Sequence, residues 1–253
     1  MKKFVALIIG DEIISGKRKD AHFAAIAGML AKRGLRLSRV EYLADNRAAL
    51  TEVLKRTAAA GEVVFSCGGI GNTPDDHTRQ AAAAAFDSPL KINAEGLKMM
   101  SARFGDNIDS ARAQLVAFPE AAQLIPNPFN NVPGFFLNEH YFVPGFPQMA
   151  HPMIVWVLEN FYQNEFLPPE NVVDKALLLT GREAYESALL PLMEKIQTHY
   201  PACRLYSLPF VRSDKPYHLE LGIEGAPEQV ESAFAEILEN LKTRSIQWRW
   251  REE

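Results

Sequence analysis

The chain has 253 residues, 47% of them apolar and 23% charged, the make-up of an ordinary globular protein, which excludes disordered, collagen-like and coiled-coil classes. A formal charge of −4, with a pI near 5.9, excludes a broad nucleic-acid or anionic-membrane surface, because either needs a clear surplus of Lys and Arg. At roughly 150 residues per domain, the length allows one large domain or two modest ones.

Met1-Lys2-Lys3 and the apolar run Phe4 to Ile9 imitate a secretion signal, but Gly10-Asp11-Glu12 ends the run early and no small-residue cleavage site follows. The run reads instead as a first strand covered on both faces. After a Gly10–Gly16 loop, Ala24, Ile26, Ala27, Leu30 and Ala31 recur at helical spacing up to Gly34. Leu35–Leu43 alternates as a second strand, Arg47–Ala60 is a helix stopped by Gly61, and Glu62–Cys67 is a third apolar strand. The β-α-β-α-β order predicts right-handed crossovers and a mainly parallel sheet flanked by helices.

Helices follow around Ala81–Phe86 and Ala94–Phe104. The texture then changes: Pro119, Pro126, Pro128, Pro133, Pro144 and Pro147 punctuate two short strands, Phe135–Leu137 and Tyr141–Val143. Met149–Phe166 reads as a helix with Pro152 in its first turn, ended by Pro168-Pro169. The remainder reads as strand Lys175–Thr180, helix Glu183–Tyr200, strands Arg204–Val211 and Tyr217–Glu224, helix Pro227–Leu241 and strand Ser245–Trp250. That is a βαββαβ, ferredoxin-like α+β module. The expected division is therefore 1–168 and 169–253, and the second part carries the whole net negative charge.

No stretch approaches the ~18 apolar residues of a membrane span, so no membrane partner is expected. Cys67 and Cys203 are far apart and form no C-x-x-C pair, which argues against a disulfide scaffold or a zinc site and fits a reducing cytoplasm.

The most informative stretch is Ser66-Cys67-Gly68-Gly69-Ile70-Gly71-Asn72-Thr73-Pro74-Asp75-Asp76-His77-Thr78. A strand runs into three glycines, then into Thr73 as an expected N-cap, Pro74 at the first helical position and Asp76 three residues after the cap. Glycines free backbone N–H groups to face a ligand and a helix N-terminus adds positive charge, which suits phosphate. Asp75 and Asp76 would repel a bare phosphate there. Two readings stand: the aspartates offset the helix dipole, or they hold a divalent cation between carboxylate and phosphate oxygens. Asp11 and Glu12 follow the first strand and Asp45 the second, so a parallel sheet would bring them to the same carboxyl edge. Gly222-Ile223-Glu224-Gly225 matches the G-x-x-G of RNA-binding KH modules in letters only, since it follows a strand and contains an acid; no nucleic-acid partner is expected.

Gly10-Asp11-Glu12-Ile13-Ile14-Ser15-Gly16, Asp20, Asp45, the Gly68–Thr78 stretch, Asn127 to Phe135 and Pro144-Gly145-Phe146-Pro147 occur in the order seen in the N-terminal region of the competence/damage-inducible protein A (CinA) family. Residues 4–166 thus resemble the molybdopterin-binding, MoaB/Mog-like superfamily, and the tail is similar to the CinA family's middle, KH-type module. The family's C-terminal nicotinamide-nucleotide deamidase domain has no counterpart here, so that activity is not expected. The resemblance implies Gly10, Ser15, Gly16, Gly68, Gly69, Gly71, Thr73, Pro144 and Gly145 around a ligand phosphate, Asp45 and Asp76 as catalytic acids, and Asp11, Glu12, Asp75 and Asp76 toward a metal. It also implies a divalent metal (Mg²⁺, Mn²⁺ or Co²⁺), molybdopterin or an adenylate as ligand, cleavage of an ADP-ribose-type pyrophosphate, adenylyl transfer to molybdopterin or ligand binding without chemistry, and a homodimer. Departures are His22 for the family's Asn, Ile70 for Leu, Asn72 for Pro and Gln148 for Glu. Cys67 is expected to be a small buried residue and not a nucleophile.

Overall fold

A computed structural model describes residues 2–105, 108–166, 172–210, 218–244 and 246–252, which fall into two compact units, one ending at Phe166 and the other beginning beyond it.

In the first unit, β1 (Phe4–Ile9) leads through a single helical turn, α1 (Asp11–Ile14), to α2 (His22–Ala31) and β2 (Leu37–Leu43); α3 (Arg47–Ala59) then leads to β3 (Val63–Cys67). Next come α4 (Thr78–Ala85), β4 (Leu90–Ile92), α5 (Ala94–Phe104), α6 (Ser110–Ala113), β5 (Ala117–Pro119), β6 (Gln123–Ile125), β7 (Gly134–Leu137), β8 (His140–Val143) and α7 (Pro147–Phe161). The main sheet has the order β2-β1-β3-β8-β7-β6. Its first four strands are parallel, with Ile8 beside both Tyr42 and Cys67, and β7 and β6 extend it antiparallel. Every residue of β1 and β3 is buried because helices cover both faces. Alternate residues serve the two layers: Phe4, Ala6, Phe65 and Cys67 pack toward α2 and α7, whereas Val5, Leu7 and Val64 pack with residues of α3 and α4.

Four expectations need correction. The Gly10–Gly16 loop contains α1, since Ser15 N–H bonds back to Asp11 O. The helix expected to be capped by Thr73 begins only at Thr78. Pro152 lies in the second turn of α7, because Pro147 and not Met149 opens that helix, and it is exposed. The same helix stops at Phe161, and Pro168-Pro169 lie outside the described residues. The sheet's antiparallel half adds β6, at three residues too short to show any periodicity.

His140 is fully buried at the start of β8, its ring 2.7 Å from Asn138 O through Nδ1 and 2.7 Å from Thr57 Oγ1 through Nε2. Burial holds it below the ordinary histidine range, and burial followed by the neighbouring His22 does the same for His151. The unfolded chain therefore takes up protons near pH 6.5 that the folded chain refuses. Stability is complete above that pH and should fall below it, by up to about 1.4 kcal/mol per pH unit and per histidine. Denaturant unfolding at pH 7.5 and 5.5 checks the sign; equal stability at both would contradict it.

In the second unit β9 (Val173–Thr180), α8 (Glu186–His199), β10 (Arg204–Pro209), β11 (Leu219–Gly225), α9 (Pro227–Thr243) and β12 (Gln247–Trp250) form an antiparallel sheet of order β10-β11-β9-β12, the ferredoxin-like arrangement. Val211, Tyr217 and Ser245, expected at strand ends, lie outside the described residues. Gly222 and Gly225 fall within β11, where a Cβ on Gly222 would sit 2.0 Å from the Tyr206 ring. The G-x-x-G letters thus serve close packing between strands and not a loop. Arg251 donates to Tyr206 Oη (2.8 Å), Glu220 Oε1 (2.7 Å) and Asp174 Oδ2 (2.8 Å), tying the chain's last strand to β9, β10 and β11. Arg251→Met should cost about 1–3 kcal/mol, since it strands the nearly buried Glu220 carboxylate. The melting temperature of wild type and variant checks this, and no change would mean that the network is only solvated surface.

Candidate active site

Because strand order runs β2-β1-β3-β8, the connections that leave β1 and β3 run to opposite sides, and the crevice between the carboxyl ends of β1 and β3 is the point where ligands of open parallel sheets bind. Gly10 ends β1 there and Gly68 ends β3.

The turn after β3 is shaped by glycines. Gly68 has φ +110°, and a Cβ on it would lie 2.3 Å from Ile9 O. Gly69 has φ +67°, and a Cβ there would lie 2.3 Å from Thr78 Oγ1. Both positions thus demand glycine by backbone conformation and by space. Thr78 locks the turn to α4: its N–H donates to Gly69 O (3.0 Å) and its hydroxyl to Gly68 O (2.9 Å). Gly145 closes on the turn from the other side, its Cβ position 3.4 Å from Gly68 Cα. Gly16 is used differently; with φ +72° and open space around it, it ends the α1 turn with its N–H on Ile13 O.

The acids divide. Asp11 and Asp45 stitch their two loops reciprocally: Asp11 N–H donates to Asp45 Oδ2 (2.9 Å) and Asp45 N–H to Asp11 Oδ1 (3.2 Å). Asp45 Oδ1 lies 3.5 Å from where a Gly69 Cβ would be. Burial raises the Asp45 carboxyl above its ordinary range, and the charges of Asp11, Glu12 and Asp75 add to the rise against the opposing backbone hydrogen bond. Four carboxylates from three loops therefore share one field. Asp76 faces its own turn: Oδ2 accepts from the Thr73 backbone N–H (2.9 Å) and the Thr73 hydroxyl (2.5 Å), against Gly71. This closure explains why the helix starts late, since Thr73 bonds with Asp76 inside a loop instead of capping α4. Asp75 and Ser15 are exposed. Among the described residues no three of His, Cys, Asp and Glu stand close enough to hold a metal between them. Cys67 is buried, which pushes its thiol up, away from nucleophilic use.

Arg79 and His151 escaped sequence reading, and His22 stood out only as a departure from the family's Asn. Arg79 is buried and donates to the carbonyls of Gly71, Gln114 and Ala117, bracing the glycine turn from below. His22 and His151 meet beneath the Pro144-Gly145 loop. Nothing in local spacing joins His22 to His151, and an arginine on an Ala-rich helix reads as solvated.

A family described as "Probable molybdopterin binding domain" matches residues 5–164. The chain belongs to that family. It is similar to CinA-like proteins of Citrifermentans bemidjiense (31% identical over 159 residues; 60% of this chain, 38% of that protein) and Geobacter metallireducens (34% over 159 residues; 60% and 38%). It thus spans about two fifths of the length of these relatives. A protein of Pyrobaculum calidifontis is 24% identical across 93% of this chain and 92% of its own. The structure of CinA, of unknown function, from Thermoplasma acidophilum superposes with a TM-score of 0.57 at 22% identity, covering 63% of this chain and 98% of that one, so it shares the fold. The first unit is thus a probable molybdopterin binding domain that shares the fold of that CinA structure. No helix among the described residues is long and apolar enough to cross a membrane.

Proposed function

We propose that the β1–β3 crevice holds the phosphate chain of an adenylated compound and, with a divalent cation, hydrolyses a nucleotide pyrophosphate such as ADP-ribose. The observation that carries this reading is the Asp11–Asp45 pair: the two loops bond reciprocally, N–H to carboxylate, beside the glycine turn, with Asp45 Oδ1 3.5 Å from where a Gly69 Cβ would be. Acids crowded in this way favour a cation among them. The donor set fits Mg²⁺ or Mn²⁺, which take one or two carboxylates and fill the remaining positions with water and substrate phosphate. Asp45 and Asp11 would hold it, and the ion would neutralise charge developing on the cleaved bridge. The Gly68–Gly71 backbone would orient the phosphates while water adds to phosphorus and the P–O–P bridge opens, giving AMP and ribose 5-phosphate from ADP-ribose. A homodimer in solution, by analogy with the family, belongs to the same proposal.

A binding module for a pterin or nucleotide is the second reading, favoured by Asp76, whose Oδ2 is spent on Thr73, and by Gln148 in place of the family's Glu. Adenylyl transfer to molybdopterin would use the same crevice with a pterin phosphate as acceptor. Incubation of ADP-ribose with Mg²⁺, Mn²⁺ or Co²⁺ should release AMP. Tight binding of nucleotide without turnover under any of the three selects the binding module, and AMP transfer from ATP to a supplied pterin selects the transferase.

A further inference from the structure

His22 opens α2 and is only 5% exposed. Its Nε2 lies 3.1 Å from Gly145 O. A carbonyl only accepts, so Nε2 carries the hydrogen and donates, and in the neutral ring Nδ1 is then a bare lone pair. That Nδ1 is buried with no hydrogen-bond partner. The His151 ring stands edge-on to it, centroids 5.3 Å apart and planes at 88°, and His151 Nε2 is also buried and unpartnered. Buried polar atoms are nearly always satisfied, so a ring that leaves one nitrogen unused holds its place through the other. Here the used nitrogen holds the carbonyl of the residue that closes on Gly68.

We infer that His22 is a positioning residue of the crevice: through Nε2–H it fixes the 144–147 loop against the glycine turn. The inference rests on reading that turn as the phosphate-binding element. The groups facing the ring come from every side. Asp20, preceding α2, accepts from the backbone N–H of His22 and Phe23 and from the Tyr42 hydroxyl of β2; Cys67 of β3 feels the Asp20 charge; His151 comes from α7. Asp20 is the one acid that these contacts place beside the pair, and it already accepts three bonds. A glutamine side chain here would carry its amide N–H at about the reach of Nε2 and could donate the same bond to Gly145 O.

Hydrogen–deuterium exchange of the 143–149 segment in the ligand-free chain tests this. At pH 7.5, His22→Ala should speed exchange there about tenfold, the worth of one hydrogen bond, and His22→Gln should restore it. Unchanged exchange in His22→Ala, or exchange in His22→Gln as fast as in His22→Ala, would overturn the inference; if His22→Ala does not fold, exchange in His22→Gln at the wild-type rate supports it and faster exchange overturns it. A parallel titration with ADP-ribose and Mn²⁺ should show the same tenfold loss in His22→Ala and its rescue by Gln. Wild type that fails to bind ADP-ribose would remove the functional reading while the exchange result still decides the positioning role.

Discussion

Asp45→Asn is expected to leave the first unit folded, with a melting temperature at or above wild type, while lowering metal-dependent cleavage of ADP-ribose by about two orders of magnitude or more. The two halves of this result have one cause. In the folded chain Asp45 is forced upward by burial and by three neighbouring acids, so its ionised form is less favoured than in the unfolded chain and subtracts from stability at neutral pH. Asparagine keeps an oxygen for the Asp11 N–H, now 2.9 Å from Oδ2, and its new amide donors meet the surrounding carboxylates. What it cannot do is balance a cation. Loss of one preorganised electrostatic group in a reacting site removes roughly 10²–10³ in rate. A group that stabilised only the fold would move both quantities downward together; thermal unfolding and AMP release on the same preparation separate the cases.

Gly68→Ala is expected to be the most destabilising single-methyl change in the first unit, by about 3 kcal/mol, which for a unit of this size lowers the melting temperature by roughly 6–12 °C. The added Cβ would meet the backbone oxygen of Ile9 at 2.3 Å, and that oxygen belongs to a strand paired on both sides and cannot swing aside. A φ of +110° adds strain for any side chain. Gly16→Ala is the internal control: its φ is +72° but nothing lies within 4 Å, so only the backbone penalty of about 1–2 kcal/mol applies. Equal losses at the two positions would show that close approach to Ile9 contributes nothing.

The parallel half of the fold was legible because Phe4–Ile9 and the 62–67 run are apolar without interruption, a pattern that only a strand covered on both faces requires. The convergence of Asp11 and Asp45 followed from topology alone, since loops after parallel strands emerge at one edge. Asp76 was legible as an acid near a glycine turn but not in its use. Thr-Pro before two acids matches a helix start, and choosing between a cap and a closed Thr73–Asp76 turn depends on Thr78, well beyond the end of β3 at Cys67, bonding back to Gly69, which no local pattern encodes. β4, β5 and β6 are each three residues long and owe their existence to a neighbouring strand rather than to alternation. His22 meets Gly145 across 123 positions, so its role is a product of tertiary packing.

Carboxylates and glycine turn are expected to act on phosphate through a cation. Calorimetric titration with AMP, which has no pyrophosphate to cleave, measures this directly in wild type and Asp45→Asn, each with and without Mn²⁺. Mn²⁺ should tighten AMP binding to wild type at least tenfold and leave Asp45→Asn unchanged; an identical response to Mn²⁺ in the two proteins would contradict a cation held by Asp45.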